Sequence, residues 1–317
     1  MTFILDWIQY NIYNVSLPFM RRTQMKNVTK SLLLVFAAVL VSLNASAAFA
    51  QATVDIPVAP GNFDETVPWD LPEIDESMSV KDCISGAEKG DADAQIELAL
   101  RYYEGKGVEK DKEKAAELAK KSADQENGKA LYFLAYMENS AKNTAQALGH
   151  LKMSADKGYV LAQREMGIIM YSVGNYKQAY QWHLKAAKQG NVMSSYECGA
   201  FLLAGQGVKQ DLKEAVVWLR KAAEAGFMPA QFELGVCYAQ GEGVEQSFEE
   251  SFKWISKSAE KNHPRSLLIL GMYYIKGMGV DQDVEKGYKC IVKAANLGSK
   301  EAQAILRQLH SQQDDED

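Results

Sequence analysis

A short pattern recurs along most of the chain at spacings of 32 or 36 residues, and this recurrence limits the fold more than any other feature. In each unit an alanine is followed after three residues by a helix-stopping position, as in Ala87 with Gly90. The same alanine position recurs at Ala123, Ala155, Ala187, Ala223, Ala259 and Ala295. A unit of this length is one supersecondary element that cannot bury its apolar face alone. The sequence therefore predicts a single stack of repeats over residues 80–310, although a length of 317 residues would otherwise indicate about two domains.

Each unit contains the start and stop signals of two helices, which we call helix A and helix B. Twelve residues before each alanine stands a good N-cap residue for helix B: Asp111, Asn143, Asn175, Asp211, Ser247 or Asp283. The 36-residue units carry an additional glycine turn between the helices, as in Gly205-Gln-Gly207-Val208. These signals predict an all-α fold, a right-handed α-solenoid of about six helix-turn-helix repeats with a capping helix at each end.

The repeat motif resembles that of a known family. Ala223-Glu-Ala-Gly226, Leu234-Gly235 with Tyr238, and Gly241-Glu-Gly243-Val244 are similar to the Sel-one-like repeat (SLR), a relative of the tetratricopeptide repeat. The two 32-residue units depart from it because they lack the glycine turn. The resemblance implies an adaptor solenoid that holds other proteins, and it links secreted bacterial members to signalling, the cell envelope or host contact.

The first fifty residues have the pattern of a targeting segment. Lys26 and Lys30 precede an apolar run, and Ala48-Phe49-Ala50 fits a small-x-small cleavage site. We expect residues 25–50 to be a signal peptide cleaved after Ala50, with residues 1–24 an upstream extension from a misassigned start. The alternatives are an uncleaved N-terminal membrane anchor and a twin-arginine signal. The expected location is the periplasm or the medium, with no membrane span after cleavage.

Acidic segments flank the predicted solenoid. Residues 51–79 contain seven acidic residues and four of the seven prolines but no Lys or Arg, which predicts an extended, solvated linker. Residues 311–317 form an acidic tail. A net charge of −6 argues against nucleic-acid binding, because phosphate neutralisation requires a basic face.

No cofactor or metal site is predicted from the motifs. The glycine turns lie between two helices in several repeats, whereas a phosphate-binding loop follows a strand. The four cysteines are far apart and form no zinc-ligand pattern, so we expect free thiols: Cys83, Cys198, Cys237 and Cys290.

Two Ser-x-x-Lys motifs leave an enzymatic alternative open. Some SLR proteins are described as β-lactam-binding or β-lactam-hydrolysing, and Ser154 with Lys157 and Ser258 with Lys261 have the nucleophile spacing. Both motifs occupy the same helix-end position of the repeat, and the companion motifs Ser-Asp-Asn and Lys-Thr-Gly are absent from the sequence. We therefore expect no enzymatic activity.

A variable stripe on helix A is the predicted partner-binding site. Its first row, ten residues after each alanine, is Glu97, Phe133, Glu165, Glu197, Glu233 and Ile269. Its second row, one helical turn later, is Arg101, Met137, Ile169, Phe201 and Tyr273, with Cys237 in the remaining unit. Helices A line the concave face of such solenoids, so the stripe predicts a groove for a protein or peptide with basic and apolar side chains. The alternative is a solvated charged face beside the core.

The sequence thus predicts a periplasmic or secreted scaffold that mediates protein–protein interaction through the concave helix A face. A β-lactam hydrolase and a secreted factor that acts on host cells are the alternative hypotheses.

Overall fold

The computed structural model describes the backbone of residues 69–314 and the side chains of residues 69–307. The predicted extension at residues 1–24, the signal peptide at 25–50 and the linker up to residue 68 lie outside the described residues. Within residues 69–314 the regular secondary structure consists of helices, which confirms the all-α prediction.

The chain divides into two compact units, with described parts at residues 69–225 and 226–314. The helices of the first unit are α1 (Val80–Glu88), α2 (Ala92–Glu104), α3 (Lys112–Ala123), α4 (Gly128–Ser140), α5 (Thr144–Asp156), α6 (Val160–Ser172), α7 (Tyr176–Lys188), α8 (Val192–Ala204) and α9 (Leu212–Glu224). The helices of the second unit are α10 (Met228–Gln240), α11 (Phe248–Glu260), α12 (Pro264–Lys276), α13 (Val284–Asn296) and α14 (Lys300–Asp314).

Helices A and B alternate, and within each unit every helix packs against its neighbours in sequence. Helices A are the even-numbered helices α2 to α12, and helices B are the odd-numbered helices α3 to α13. The first and last helices, α1 and α14, take the capping positions. This arrangement confirms the predicted solenoid of helix-turn-helix repeats. Helix α14 continues to Asp314, four residues beyond the predicted end of the solenoid.

The predicted helix starts and stops are present. The Asp111 carboxylate accepts a hydrogen bond from the Lys114 backbone N–H at 2.9 Å, whereas Asn143 caps α5 without a side-chain hydrogen bond. At the stop position, Glu126 replaces the usual glycine and still takes a left-handed conformation, with φ of 62°. The surrounding helix pair therefore imposes this geometry on a residue that does not favour it.

Helices A and B approach closely where the sequence places a small residue. A methyl group on Gly167 of α6 would lie 2.6 Å from His183 Nε2 of α7. A methyl group on Gly199 of α8 would lie 2.7 Å from Cγ of Leu219 on α9. Both distances are shorter than van der Waals contact, so a larger residue would separate the helix pair.

Two of the three aligned tryptophans of helices B are buried, whereas Trp182 and the equivalent residues of other repeats are half-buried. Trp218 and Trp254 are buried, with Lys221 and Lys257 packed over their rings at 4.0 and 4.1 Å from the centroids. His150, in the same repeat position, is half-buried and contacts the Glu138 carboxylate at 2.8 Å. The predicted ladder of bulky core residues is therefore incomplete.

The end of the predicted linker is not solvated, and the structure corrects this prediction for residues 69–78. Trp69 and Pro72 are buried, and Trp69 is only 8% exposed. Leu71 and Ile74 pack against the apolar cluster formed by the first repeats. The acidic composition indicated solvation, but the apolar residues between the acids provide enough contact surface to hold the segment in place.

Candidate functional site

An extended segment of the chain lies across three helices A of the first unit. We call residues 69–78 the strap, and the surface beneath it on α2, α4 and α6 the groove. Asp70 contacts α4 and α6, and Asp75 contacts α2, so the strap runs in the direction opposite to the order of the repeats. It then leads directly into α1 at Val80.

At its first end the strap is held through an aromatic and an acidic residue. The Trp69 ring stacks on the Tyr132 ring, with centroids 6.2 Å apart and planes at 23°. The Tyr132 hydroxyl donates to the Asp70 carbonyl at 2.9 Å, and Nη1 of Arg164 contacts the Asp70 carboxylate at 2.7 Å. This end of the groove therefore distinguishes side chains.

At its second end the strap is held through its backbone. The Asp75 N–H donates to Oε2 of Glu97 at 2.8 Å. Nη2 of Arg101 donates to the carbonyls of Asp75 at 3.1 Å and of Met78 at 2.5 Å. The other oxygen of Glu97 accepts from the Lys129 ammonium group of α4. At this end the strap forms a turn, in which the Met78 N–H donates to the Asp75 carbonyl at 3.3 Å. The groove here contacts backbone groups, which depend little on the side chains of the strap.

The structure places the predicted stripe inside the fold. Eleven of its twelve members are buried, and Met137 is half-buried. The buried members are Glu97, Arg101, Phe133, Glu165, Ile169, Phe201, Glu197, Glu233, Cys237, Ile269 and Tyr273. The alternative of a solvated charged face is therefore wrong for the glutamates, each of which is 7% exposed or less. Of the stripe, the structure brings Glu97 and Arg101 together at the strap.

The remaining first-unit members of the stripe serve mainly as core. Phe133 packs edge-on against Tyr103 at 5.3 Å, and Phe201 packs against Tyr171 at 5.9 Å. In the second unit, the Tyr273 hydroxyl is 2.7 Å from the Ser251 hydroxyl. These contacts lie between helices, so the side chains are occupied by packing and are not presented to a partner in this structure.

A further row of helix A residues, two of which contact the strap, was not singled out in the sequence. It lies one position before the glutamate row: Ile96, Tyr132, Arg164, Tyr196, Phe232 and Leu268. Tyr132 and Arg164 belong to this row. The sequence signal that could have identified this row is that its residue type changes from repeat to repeat between aliphatic, aromatic and cationic. Such variation is unusual at a position that serves only for packing. A second signal was Trp69, because solvated linkers seldom contain a large aromatic residue.

The four buried glutamates differ in their electrostatic environment. Burial raises the pKa of Glu165, although the adjacent Arg164 guanidinium opposes this effect and bonds the carboxylate directly. Burial raises the pKa of Glu197 to about 7. Burial also raises the pKa of Glu233 to about 7, against a smaller opposing effect of Arg265.

The serines of both Ser-x-x-Lys motifs are buried and form structural hydrogen bonds. The Ser154 hydroxyl donates to the Gly128 carbonyl at 2.6 Å. The Ser258 hydroxyl accepts from the Ser266 hydroxyl at 2.8 Å. Lys157 pairs with Glu126. Neither hydroxyl is exposed to a substrate in this structure.

The four cysteines are free thiols, and all except Cys290 are buried. Among the residues that the structure describes, no three potential metal ligands of the His, Cys, Asp or Glu type come together. Within residues 69–314 no helix combines the length and apolar character that crossing a membrane requires.

Comparison with known proteins places these repeats in a family. The Sel1 repeat model matches residues 92–127, 128–159, 160–191, 192–227, 229–263 and 264–299. A curated-protein search found no significant match.

Two solved structures are similar to the chain. One is c5321 of uropathogenic Escherichia coli, described as a protective antigen with an SLR fold, at 28% identity and a TM-score of 0.64. The alignment covers 70% of this chain but only 50% of that one, so the chain spans half the length of the E. coli protein. The other is a Sel1 repeat protein from Oxalobacter formigenes, at 26% identity and a TM-score of 0.53. That alignment covers 68% of this chain and 96% of the O. formigenes chain. The chain therefore belongs to the Sel1 repeat family, whose members generally act as scaffolds that bind other proteins.

Proposed function

We propose that this protein is a non-enzymatic scaffold of the periplasm or the medium that binds an extended segment of another protein in the groove. The observation that carries the proposal is the strap, because a stretch of extended chain already lies there through side-chain and backbone contacts. A surface that satisfies the backbone groups of its own extended segment can do the same for a foreign one.

The geometry of the groove supports recognition of a peptide more than of a small molecule. Its contacts extend from Arg164 on α6 to Arg101 on α2 and follow the strap over at least six residues. Six extended residues span roughly 20 Å. This length is typical of a linear peptide site.

The location remains part of the proposal. The pattern around Lys26, Lys30 and Ala48-Phe49-Ala50 supports export and cleavage. The similarity to an E. coli protein described as a protective antigen supports a role at the envelope or in host contact. Cell fractionation with mass measurement of the protein tests this directly. We expect a chain that begins at Gln51 in the periplasm or medium, and an intact N-terminus in the membrane fraction would contradict it.

A matched pair of variants tests the groove as the binding surface. Arg101→Gln with Arg164→Gln removes two charges from the groove, and Lys152→Gln with Lys157→Gln removes two charges from exposed positions whose ion-pair partners lie outside the strap. Proteins recovered from an envelope extract by affinity purification should be lost with the first pair and retained with the second. Circular dichroism at 222 nm verifies that both variants are folded. Equal recovery of these proteins with both pairs of variants would show that the groove is not the surface that binds them.

Tyr132→Phe gives a second, less disruptive variant for the same test. It removes only the hydroxyl that donates to the Asp70 carbonyl and preserves the ring that stacks on Trp69. We expect recovery of the same proteins to decrease by about threefold to tenfold, because one hydrogen bond contributes about 1 kcal/mol.

A further inference from the structure

The chemistry of the strap identifies what the groove recognises. We propose that the partner carries an extended segment with an aromatic residue followed directly by an aspartate, and that the strap is an intramolecular copy of this ligand which the partner displaces. This inference rests on the proposed function and adds the chemical class of the partner and a competition for the site.

Tyr132 recognises the aromatic residue of the segment, which in the strap is Trp69. The Trp69 ring packs against Tyr132 and lies in the apolar cluster around Tyr132, Met166 and Ile169. Tyr159 also contacts Tyr132, with ring centroids 5.2 Å apart and planes at 46°. A stack of rings of this kind accepts a flat aromatic side chain and offers an aliphatic one less contact area.

Arg164 recognises the acidic residue of the segment, and the Glu165 carboxylate holds the Arg164 guanidinium in place. Glu165 accepts from Nε of Arg164 at 3.1 Å and also from Nη2, while Nη1 contacts the Asp70 carboxylate at 2.7 Å. Arg164 is 8% exposed and Glu165 is 2% exposed, so this orientation is fixed inside the fold. A preoriented guanidinium recognises a carboxylate more strongly than a mobile surface cation does.

The charges around the strap disfavour the basic partner that the sequence analysis predicted. Glu97 is already paired with Lys129, and Glu165 with Arg164. The buried cations that contact the strap are Arg101 at one end and Arg164 at the other. A basic segment would meet two guanidinium groups here, whereas an acidic segment such as Trp69-Asp70-Leu71-Pro72-Glu73 meets complementary charge.

The strap can be displaced because the contacts of its acidic side chains are open to water. The Asp70 side chain is 63% exposed, and the Glu76–Lys106 ion pair is exposed on both partners. Exposed ion pairs contribute little, so a competing segment can replace them at small cost. The tether to α1 nevertheless gives the strap a local concentration on the order of millimolar. An external ligand therefore competes with the strap and binds with reduced apparent affinity.

A labelled peptide with the sequence of residues 66–78 tests this competition. Its affinity is measured by fluorescence anisotropy for the chain from Gln51 onward and for the same chain carrying Trp69→Ala and Asp70→Ala. We expect the peptide to bind the variant chain at least tenfold more tightly, because the weakened strap leaves the groove open. The single variant Asp70→Asn, which preserves the tryptophan contact, should give a smaller increase in the same direction.

Changes in the peptide test the recognition without changing the protein. Replacing the tryptophan by alanine should weaken binding to the variant chain by at least fivefold. Replacing the following aspartate by asparagine should weaken it by about twofold to fivefold, because the carboxylate of this ion pair is largely exposed. Replacing the glutamate that corresponds to the exposed Glu73 by glutamine should leave binding unchanged.

Three outcomes would overturn the inference. They are equal affinity for both chains, no binding to the variant chain, and dimerisation of the unmodified chain through exchanged straps in sedimentation. The proposed function has a separate readout, because capture of envelope proteins that depends on Arg101 and Arg164 could persist in any of these cases. If that capture fails while the peptide binds as expected, the groove recognises the sequence of the strap but does not bind the captured envelope proteins.

Discussion

The same repeat position carries a glutamate in two regions of the molecule, with different consequences. Beneath the strap, Glu97 and Glu165 pair with Lys129 and Arg164 and help to build a binding surface. Farther along, burial raises the pKa of Glu197 and of Glu233 to about 7. A buried carboxylate is therefore a counter-ion or a titratable group according to its cationic neighbours.

The sequence accounts for part of this difference. Lys129 stands six residues after its repeat alanine, and the same position holds Met193 in the repeat after Glu165. Arg164, next to Glu165, supplies the missing cation from the same helix. In the repeat after Glu197 this position holds Pro229, which has no charge. In the repeat after Glu233 it holds Arg265, which opposes the effect of burial on the pKa of that carboxyl only in part. The repeat pattern thus leaves this position variable, and the direct ion pairs of Glu97 and Glu165 come from Lys129 and Arg164.

The largest expected effect is from removing the cation beneath the strap. Arg164→Met leaves Glu165 buried without its counter-ion, and breaking a buried pair in this way costs about 3–5 kcal/mol. We expect the free energy of unfolding in urea to decrease by that amount. Lys157→Met, which breaks an exposed pair with Glu126, should change it by less than about 1 kcal/mol. Similar decreases in the free energy of unfolding for the two variants would show that the ion pair beneath the strap is no more important for stability than an exposed one.

The pH dependence of stability should come from Glu197 and Glu233. Each has a pKa of about 7 in the folded chain against an ordinary value of 4.5, so the folded state binds the proton more tightly. Stability is then highest below pH 4.5 with respect to these groups and decreases as pH rises to about 7. The loss is up to about 3 kcal/mol per carboxyl group.

Glutamine variants isolate this contribution. Glu197→Gln with Glu233→Gln should be more stable than the parent at pH 8, with most of the difference gone at pH 5, in urea unfolding at both pH values. Glu126→Gln, at an exposed position, provides the control. A parent chain whose pH dependence is unaffected by the double variant would show that these carboxylates do not titrate as described.

The strap should detach when its aromatic contact is removed. Trp69→Ala loses about 2 kcal/mol of apolar burial, which should increase proteolytic cleavage within residues 69–78 roughly thirtyfold. Cleavage within α2 to α9 should remain unchanged, because those helices pack on one another. Met153→Ala, at an exposed apolar residue, is the control and should leave strap cleavage unaltered.

The smallest effect is expected from the acidic contact of the strap. Asp70→Asn removes an ion pair whose carboxylate is largely exposed, so strap attachment should weaken by about 0.5–1 kcal/mol. The difference should diminish in about 1 M salt, where the screening length is about 3 Å. Strap proteolysis at low and high salt measures it, and a salt-independent difference would assign the effect to something other than charge.

The repeat period, the caps and the small residues between helices A and B were enough to predict the fold, because these features act locally and repeat. Glu126 shows that even a poor stop residue adopts the geometry that its neighbours impose. The candidate site was predicted only in part. Glu97 and Arg101 were identified, but Tyr132 and Arg164 were missed because their role depends on a segment more than fifty residues away in sequence. The acidic composition of residues 51–79 predicted a solvated linker. The contacts of individual residues such as Trp69 nevertheless hold residues 69–78 against the repeats.

Hydrogen exchange of the strap amides tests the central claim most directly. The Asp75 N–H is bonded to Glu97, and the Met78 N–H is bonded to the Asp75 carbonyl. In the chain from Gln51 onward, both amides should exchange at least tenfold more slowly than in the free peptide of residues 66–78. The protection at Asp75 should be lost in Trp69→Ala with Asp70→Ala. Exchange of both amides at the free-peptide rate in the unmodified chain would show that the strap does not occupy the groove and would contradict the account.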